Sequence, residues 1–140
     1  MDEKIFDAGI AARSRVLGPE FVARAFSGAD SFSRDFQEIV TEYCWGGVWG
    51  RTALTDRQRS LNNLCILATL NRSHEFKLHF KGALTNGCTL DELRDTLIQI
   101  AVYAGVPAGV EAFRLAREVL EAEGITPPPT DRAMPNIPDT

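Results

Sequence analysis

The sequence predicts an all-α protein of about six or seven helices, and three observations carry that prediction. Apolar residues recur at three- and four-residue spacing from the first segment to residue 120. The segments are bounded by helix-end chemistry. Thr89-Leu90-Asp91-Glu92 reads as a capping box, Pro19 and Pro107 suit first helical turns, and Gly28, Gly87 and Gly124 suit helix ends. No stretch carries the alternation of a half-buried strand, and there is no internal repeat.

Residues 3–17 form the first helix, with Ile5, Ala8, Ala12 and Val16 on one face. Pro19 opens a second, carrying Phe21, Val22, Ala25 and Phe26, and Gly28 closes it. Asp30 or Ser31 caps a third, in which Phe32, Phe36, Ile39, Val40 and Tyr43 recur. It runs into Trp45-Gly46-Gly47-Val48-Trp49-Gly50-Arg51, where three glycines around two tryptophans predict a loop. Thr55 or Asp56 caps the next helix, whose later half is apolar nearly all round, as in a central core helix. Asn71-Arg72-Ser73 leaves room only for a tight corner, so that helix and Ser73–Gly87 form an antiparallel hairpin. The following helix runs from the capping box to Ala104 and carries Gln99, a polar side chain that needs partners if buried. The last helix starts at Pro107, with Val110, Phe113, Ala116 and Leu120 expected inward. The remainder, ITPPPTDRAMPNIPDT, holds five prolines. The expected division is a helical domain over residues 1–123 and a Pro-rich tail over 124–140.

With 140 residues the chain makes one domain with a real core. Net charge is −4, which argues against nucleic acid or an anionic membrane surface as partner. Arg51, Arg57 and Arg59 are locally dense, however, and compatible with a small anionic ligand. Cys44, Cys65 and Cys88 are isolated, without a C-x-x-C pair or metal-like spacing. They fit a reducing compartment, and with no signal-peptide pattern and no membrane-length apolar run the expected location is cytoplasmic.

Ser73–Gly87 concentrates the chemistry. Ser73 is a candidate N-cap and Gly87 a candidate C′ residue. Phe76, Phe80, Ala83, Leu84 and Gly87 share an apolar stripe, with Lys77, Lys81 and Thr85 opposite. Glu75, His79, Gly82 and Asn86 line one edge of that stripe. A carboxylate and an imidazole one turn apart on a core boundary suit a small acid/base site; the pair also reads as a surface ion pair.

Phe36-Gln37, Tyr43-x-Trp45-Gly46-x-Val48-Trp49-x-Arg51 and Leu54-x-x-Arg57-x-Arg59-Ser60-Leu61 resemble the 4-carboxymuconolactone decarboxylase family. Glu75-x-x-x-His79, Ala83-Leu84-x-Asn86-Gly87 and Ala101-Val102-Tyr103-x-Gly105-Val106-Pro107-Ala108 continue the match, which covers roughly residues 4–121. The resemblance implies an alkylhydroperoxidase D-like helical fold that assembles as homo-oligomers, trimers or hexamers. That relative's redox site carries two cysteines before its histidine. Aligned on His79, those positions hold Arg72 and Glu75, so the disulfide chemistry has no thiols to run on. Departures from the decarboxylase pattern are Gly47, where an acid is common, and Thr52, where a proline is common. Both fall in the tryptophan stretch and bear on which substrate is taken.

The implied reaction is loss of CO2 from a small anionic lactone, 4-carboxymuconolactone, giving the enol-lactone of 3-oxoadipate in aromatic-acid breakdown. It demands neither a metal nor an organic cofactor. Electrons from the departing carboxylate flow through the ring double bond into the lactone carbonyl, and the resulting dienolate takes a proton on carbon. His79 is the expected proton donor, with Glu75 holding the imidazole and favouring its charged form. Arg51 and Arg59 are the candidates for the substrate carboxylates, and Arg57 reads as a surface salt bridge. Trp45 and Trp49 either wall the site or pack in a subunit interface. Gln99 or Tyr103 is a candidate donor to the developing oxyanion, Gln99 also reading as a satisfied buried amide. The rival expectations are a decarboxylase or isomerase on the same scaffold acting on another lactone or keto acid, a thiol peroxidase, and a non-catalytic oligomeric protein.

Overall fold

The computed structural model describes residues 1–138, so the last two residues of the expected tail, Asp139 and Thr140, lie outside it. Among the described residues there are seven α-helices and one π-helical stretch, with no strand. The helices are α1 (Glu3–Leu17), α2 (Pro19–Ser27), α3 (Arg34–Ile39), α4 (Asp56–Thr69), α5 (Ser73–Thr85), α6 (Leu90–Tyr103) and α7 (Val106–Ala122); the π stretch, Val40–Trp49, continues α3. No described helix is long and apolar enough to cross a membrane.

Most ends follow the local chemistry. Asp2 caps α1, and Thr55 and Thr89 each complete a capping box, with Gln58 and Glu92 respectively. Asp30 accepts from the amides of Phe32 and Ser33 and so caps a turn, leaving Ser33 as the residue that enters α3. Ser73 is the first residue of α5 rather than its cap. The corner before it, with Asn71 at φ 55°, brings Arg72 to the N-cap position without a side-chain bond. Gly87 takes the left-handed conformation expected after α5.

The tryptophan stretch is where helix-end chemistry misleads. It winds as a helix of wider turn, the Gly50 amide donating to the Trp45 carbonyl five residues back at 3.1 Å. Two glycines serve close approach here, Gly46 in the stretch and Gly9 on α1. A Cβ on Gly46 would lie 2.2 Å from the Ile5 carbonyl oxygen, and one on Gly9 would lie 2.1 Å from that of Thr41. The backbones of α1 and the π stretch therefore touch. Buried Arg13 fastens the same junction, donating to Thr41 Oγ1 at 3.0 Å and Gln37 Oε1 at 2.9 Å.

Two cores result. Leu64, Phe76, Phe80, Ala83, Leu93, Leu97, Ile100, Ala112, Leu115 and Ala116 fill the space among α4–α7. Ala12, Val16, Trp45 and Trp49 make a smaller one between α1 and the π stretch. Helix α5 spans the seam, with Phe76 and Phe80 in the first core and Gly82 against Val16 of the second. Several apolar stripes face outward instead of inward. Phe32, Phe36, Ile39 and Tyr43 are exposed, as are Ile66 and Leu70 on α4 and Val110 on α7, while Phe113 is only partly covered. The start of the tail returns along the bundle, where Pro127 and Pro128 border a groove of about 270 Å³ with Leu93, Leu97, Phe113 and Leu120.

Candidate active site

His79 stands where the two cores meet. Helix α5 carries it on the edge between the apolar stripe and the face turned to α4, and the π stretch brings two indoles against it. Trp45 and Trp49 are four residues apart, both 4% exposed, and stack on each other with centroids 5.1 Å apart. The imidazole lies nearly parallel to both, 6.0 Å from Trp45 and 6.1 Å from Trp49. Thr41, Trp45 and Trp49 are the buried residues of the π stretch, so their four-residue spacing defines its inward face. The two indoles do belong to a core, and that core ends on the histidine ring.

From the other side comes Asn63 of α4, whose Nδ2 lies 3.4 Å from His79 Nδ1. Two turns beyond His79, Asn86 donates to Oγ of fully buried Ser60 at 2.9 Å. Two neutral polar pairs thus join α4 and α5 along the line of Glu75, His79, Gly82 and Asn86. Sequence reasoning passed over Asn63 and gave Ser60, which stands in the family pattern, no role. The available signal was position: Asn63 follows Arg59 by one helical turn, within a helix otherwise read as core.

Burial holds His79 below its ordinary pKa of 6.5, and the charge of Glu75 opposes that shift without reversing it. Glu75 is exposed in the first turn of α5, where solvent screens it. The expected charged, carboxylate-held imidazole is therefore replaced by a neutral ring bonded to an amide. A sign follows for stability. The unfolded chain binds the His79 proton more readily than the folded one, so this contribution is whole above pH 6.5 and is lost as pH falls through the lowered value. Chemical denaturation between pH 7.5 and 5 should show the stability difference between the natural chain and His79→Ala narrowing as pH drops; a constant difference would count against the lowered pKa.

Arg59 is half-buried and donates from Nη2 to the Arg51 carbonyl at 3.1 Å, while its Nε is buried without a protein partner. Arg51 is exposed and, with Trp49, Gly50 and Thr52, borders an open concavity of about 470 Å³ against Ala8 and Arg15 of α1. Arg57 pairs with Glu92 on the surface, the role expected of it. Gln99 and Tyr103 lie on the outward side of α6, Tyr103 being 84% exposed. The chain does not bring these two to the imidazole. Burial raises the pKa of Cys44, Cys65 and Cys88, which keeps all three as thiols and disfavours thiolate chemistry.

The arrangement offers a dry aromatic wall, a ring able to exchange a proton, and a guanidinium N–H awaiting an acceptor. The model of the carboxymuconolactone decarboxylase family matches residues 34–118. A 4-carboxymuconolactone decarboxylase of Acinetobacter baylyi is 36% identical over 126 residues, covering 90% of this chain and 94% of that protein. The nitrosuccinic acid decarboxylase npaB of Metarhizium robertsii is 38% identical over 120 residues, covering 86% and 84%.

Proposed function

The chain belongs to the carboxymuconolactone decarboxylase family and is a carboxy-lyase of that type, and from this premise we propose that it converts 4-carboxymuconolactone to the enol-lactone of 3-oxoadipate and CO2, with His79 as proton donor. The observation that carries the reading is the imidazole stacked on Trp45 and Trp49 and met through Asn63 by α4, the helix that also carries the unpartnered Arg59 Nε. A substrate carboxylate gives that N–H its acceptor, and Arg51, whose carbonyl Arg59 holds, serves a second carboxylate. The dry indole wall favours departure of CO2 by destabilising the ring carboxylate more than the spread charge of the dienolate. A dianion entering beside His79 opposes the effect of burial and draws a proton onto the ring, which then passes it to the dienolate carbon. The reacting domain is residues 1–123, an alkylhydroperoxidase D-like bundle with α4 and α5 as its central antiparallel hairpin, and residues 124–140 stand outside the chemistry.

The same reading includes a homo-oligomer, a trimer or hexamer. The protomer exposes 9589 Å², against about 7,200 Å² for a compact monomer of this mass. Phe32, Tyr43, Val102 and Tyr103 are largely exposed and belong in such contacts.

Purified protein mixed with 4-carboxymuconolactone should release CO2 as the ultraviolet absorbance of the conjugated lactone falls. A second reading, a decarboxylase of another small acid, is favoured by the 38% identity to the nitrosuccinic acid enzyme and by the open space around exposed Gly47. Turnover of nitrosuccinate with none of the lactone would establish that reading instead. Within the first, Arg59→Lys should raise KM by roughly 10- to 100-fold, the range of a hydrogen bond to a charged group. An unchanged KM would move carboxylate binding to Arg51.

A further inference from the structure

We propose that Asn63 is the positioning residue of the site: its side-chain amide fixes the tautomer and orientation of His79, so that the ring's only proton stands on Nε2. The proposal rests on His79 being the proton donor, but its structural half stands apart from any substrate.

The geometry leaves few choices. An amide nitrogen donates and does not accept, so Asn63 Nδ2 beside His79 Nδ1 makes that ring nitrogen the acceptor. In a neutral imidazole the proton then sits on Nε2. The ring cannot readily turn over, because Trp45 and Trp49 are stacked against it and are themselves buried. The charge that acts on it is that of Glu75 on its own helix; Arg59 stands one turn before Asn63 on α4, and the π stretch presents the two indoles. Neither charge bonds to the ring among the described residues.

Most catalytic histidines that must carry charge lean on a carboxylate. Here the partner is neutral, with two consequences. The resting ring carries no extra proton, and its second proton arrives on Nδ1 only when an anion enters, at the cost of the Asn63 hydrogen bond. Asn63 thus favours the neutral ring at rest and yields to an incoming anion, whereas a carboxylate at that position would hold the charged one throughout.

Two variants test this. In Asn63→Asp the carboxylate should demand a proton on Nδ1 and raise the ring's affinity for the second. The basic limb of kcat/KM, which reports the free enzyme, should then move up by more than one pH unit. In Asn63→Ala the ring loses its partner, and kcat should fall by on the order of 10-fold or more with KM little changed. The readout that a merely structural residue would not move is the tautomer itself. Nitrogen-15 NMR of the substrate-free protein above pH 7 should show His79 protonated on Nε2, and Asn63→Asp should show it protonated on Nδ1. A wild-type ring protonated on Nδ1, or an Asn63→Asp variant with unshifted spectrum and pH profile, would overturn the proposal. If the NMR result holds while the lactone is not turned over, the positioning role stands and the substrate assignment fails.

Discussion

Replacing His79 with alanine is expected to lower kcat by roughly 10²–10⁴, the usual worth of a positioned general acid, and to leave a folded protein. The fold should tolerate the change because the residue lies on the margin of the core: Phe76, Phe80 and Ala83 of the same helix are fully enclosed, while His79 is only half-buried. Removing the ring exposes one side of the indole stack and leaves the Asn63 amide to water, a modest cost. Because the imidazole touches the reacting carbon only while the proton moves, KM should change far less than kcat. Circular dichroism would confirm the helices, and steady-state assay the loss. Near-normal turnover in a folded His79→Ala protein would remove the ring from the mechanism and leave the fate of the dienolate to solvent.

The second large effect concerns stability. Gly9→Ala would place a methyl 2.1 Å from the Thr41 carbonyl oxygen and 3.0 Å from the Gly46 amide nitrogen. Both are backbone atoms, so no rotamer change relieves the clash. The π stretch must shift away from α1, carrying Thr41 from Arg13 and disturbing the indole wall. Overpacking of this kind costs roughly 1–3 kcal/mol and sometimes more, and a clash against backbone belongs at the upper end. The matched control is Gly47→Ala. A methyl there meets nothing nearer than the Glu42 carbonyl oxygen at 3.7 Å, and alanine's lower backbone entropy should leave stability unchanged or up to about 1 kcal/mol higher. Thermal unfolding should thus separate the two variants, Gly9→Ala melting below the natural chain and Gly47→Ala at or above it. Equal melting temperatures would mean that α1 and the π stretch are not in backbone contact.

What the sequence made legible was chemistry that acts over a few residues. The caps at Thr55 and Thr89, proline at the starts of α2 and α7, and left-handed glycine after α5 all depend on neighbours along the chain. The tryptophan stretch departs from the loop expectation because Gly46 answers to α1, some forty residues away in sequence, and no local rule announces a carbonyl from another helix. Val110 was placed inward on periodicity alone, yet Gly109 and Ala112 are the residues α7 buries there. Gly109 would meet Ala101 within 2.4 Å if it carried a Cβ, so small residues set that contact and the larger one points away. In the candidate site, the spacing of Glu75 and His79 was visible, but the amide of Asn63 was not. Its importance comes from where α4 crosses α5, which a one-dimensional pattern does not encode.

The chain contains two tryptophans, and both are stacked beside His79. All of its indole emission therefore originates at one spot. A protonated imidazole in ring contact quenches such emission by accepting an electron from the excited indole, whereas a neutral one quenches weakly. The protein consequently carries its own optical gauge of the histidine's charge, and no label is needed to follow a proton arriving or leaving as an acid enters the site.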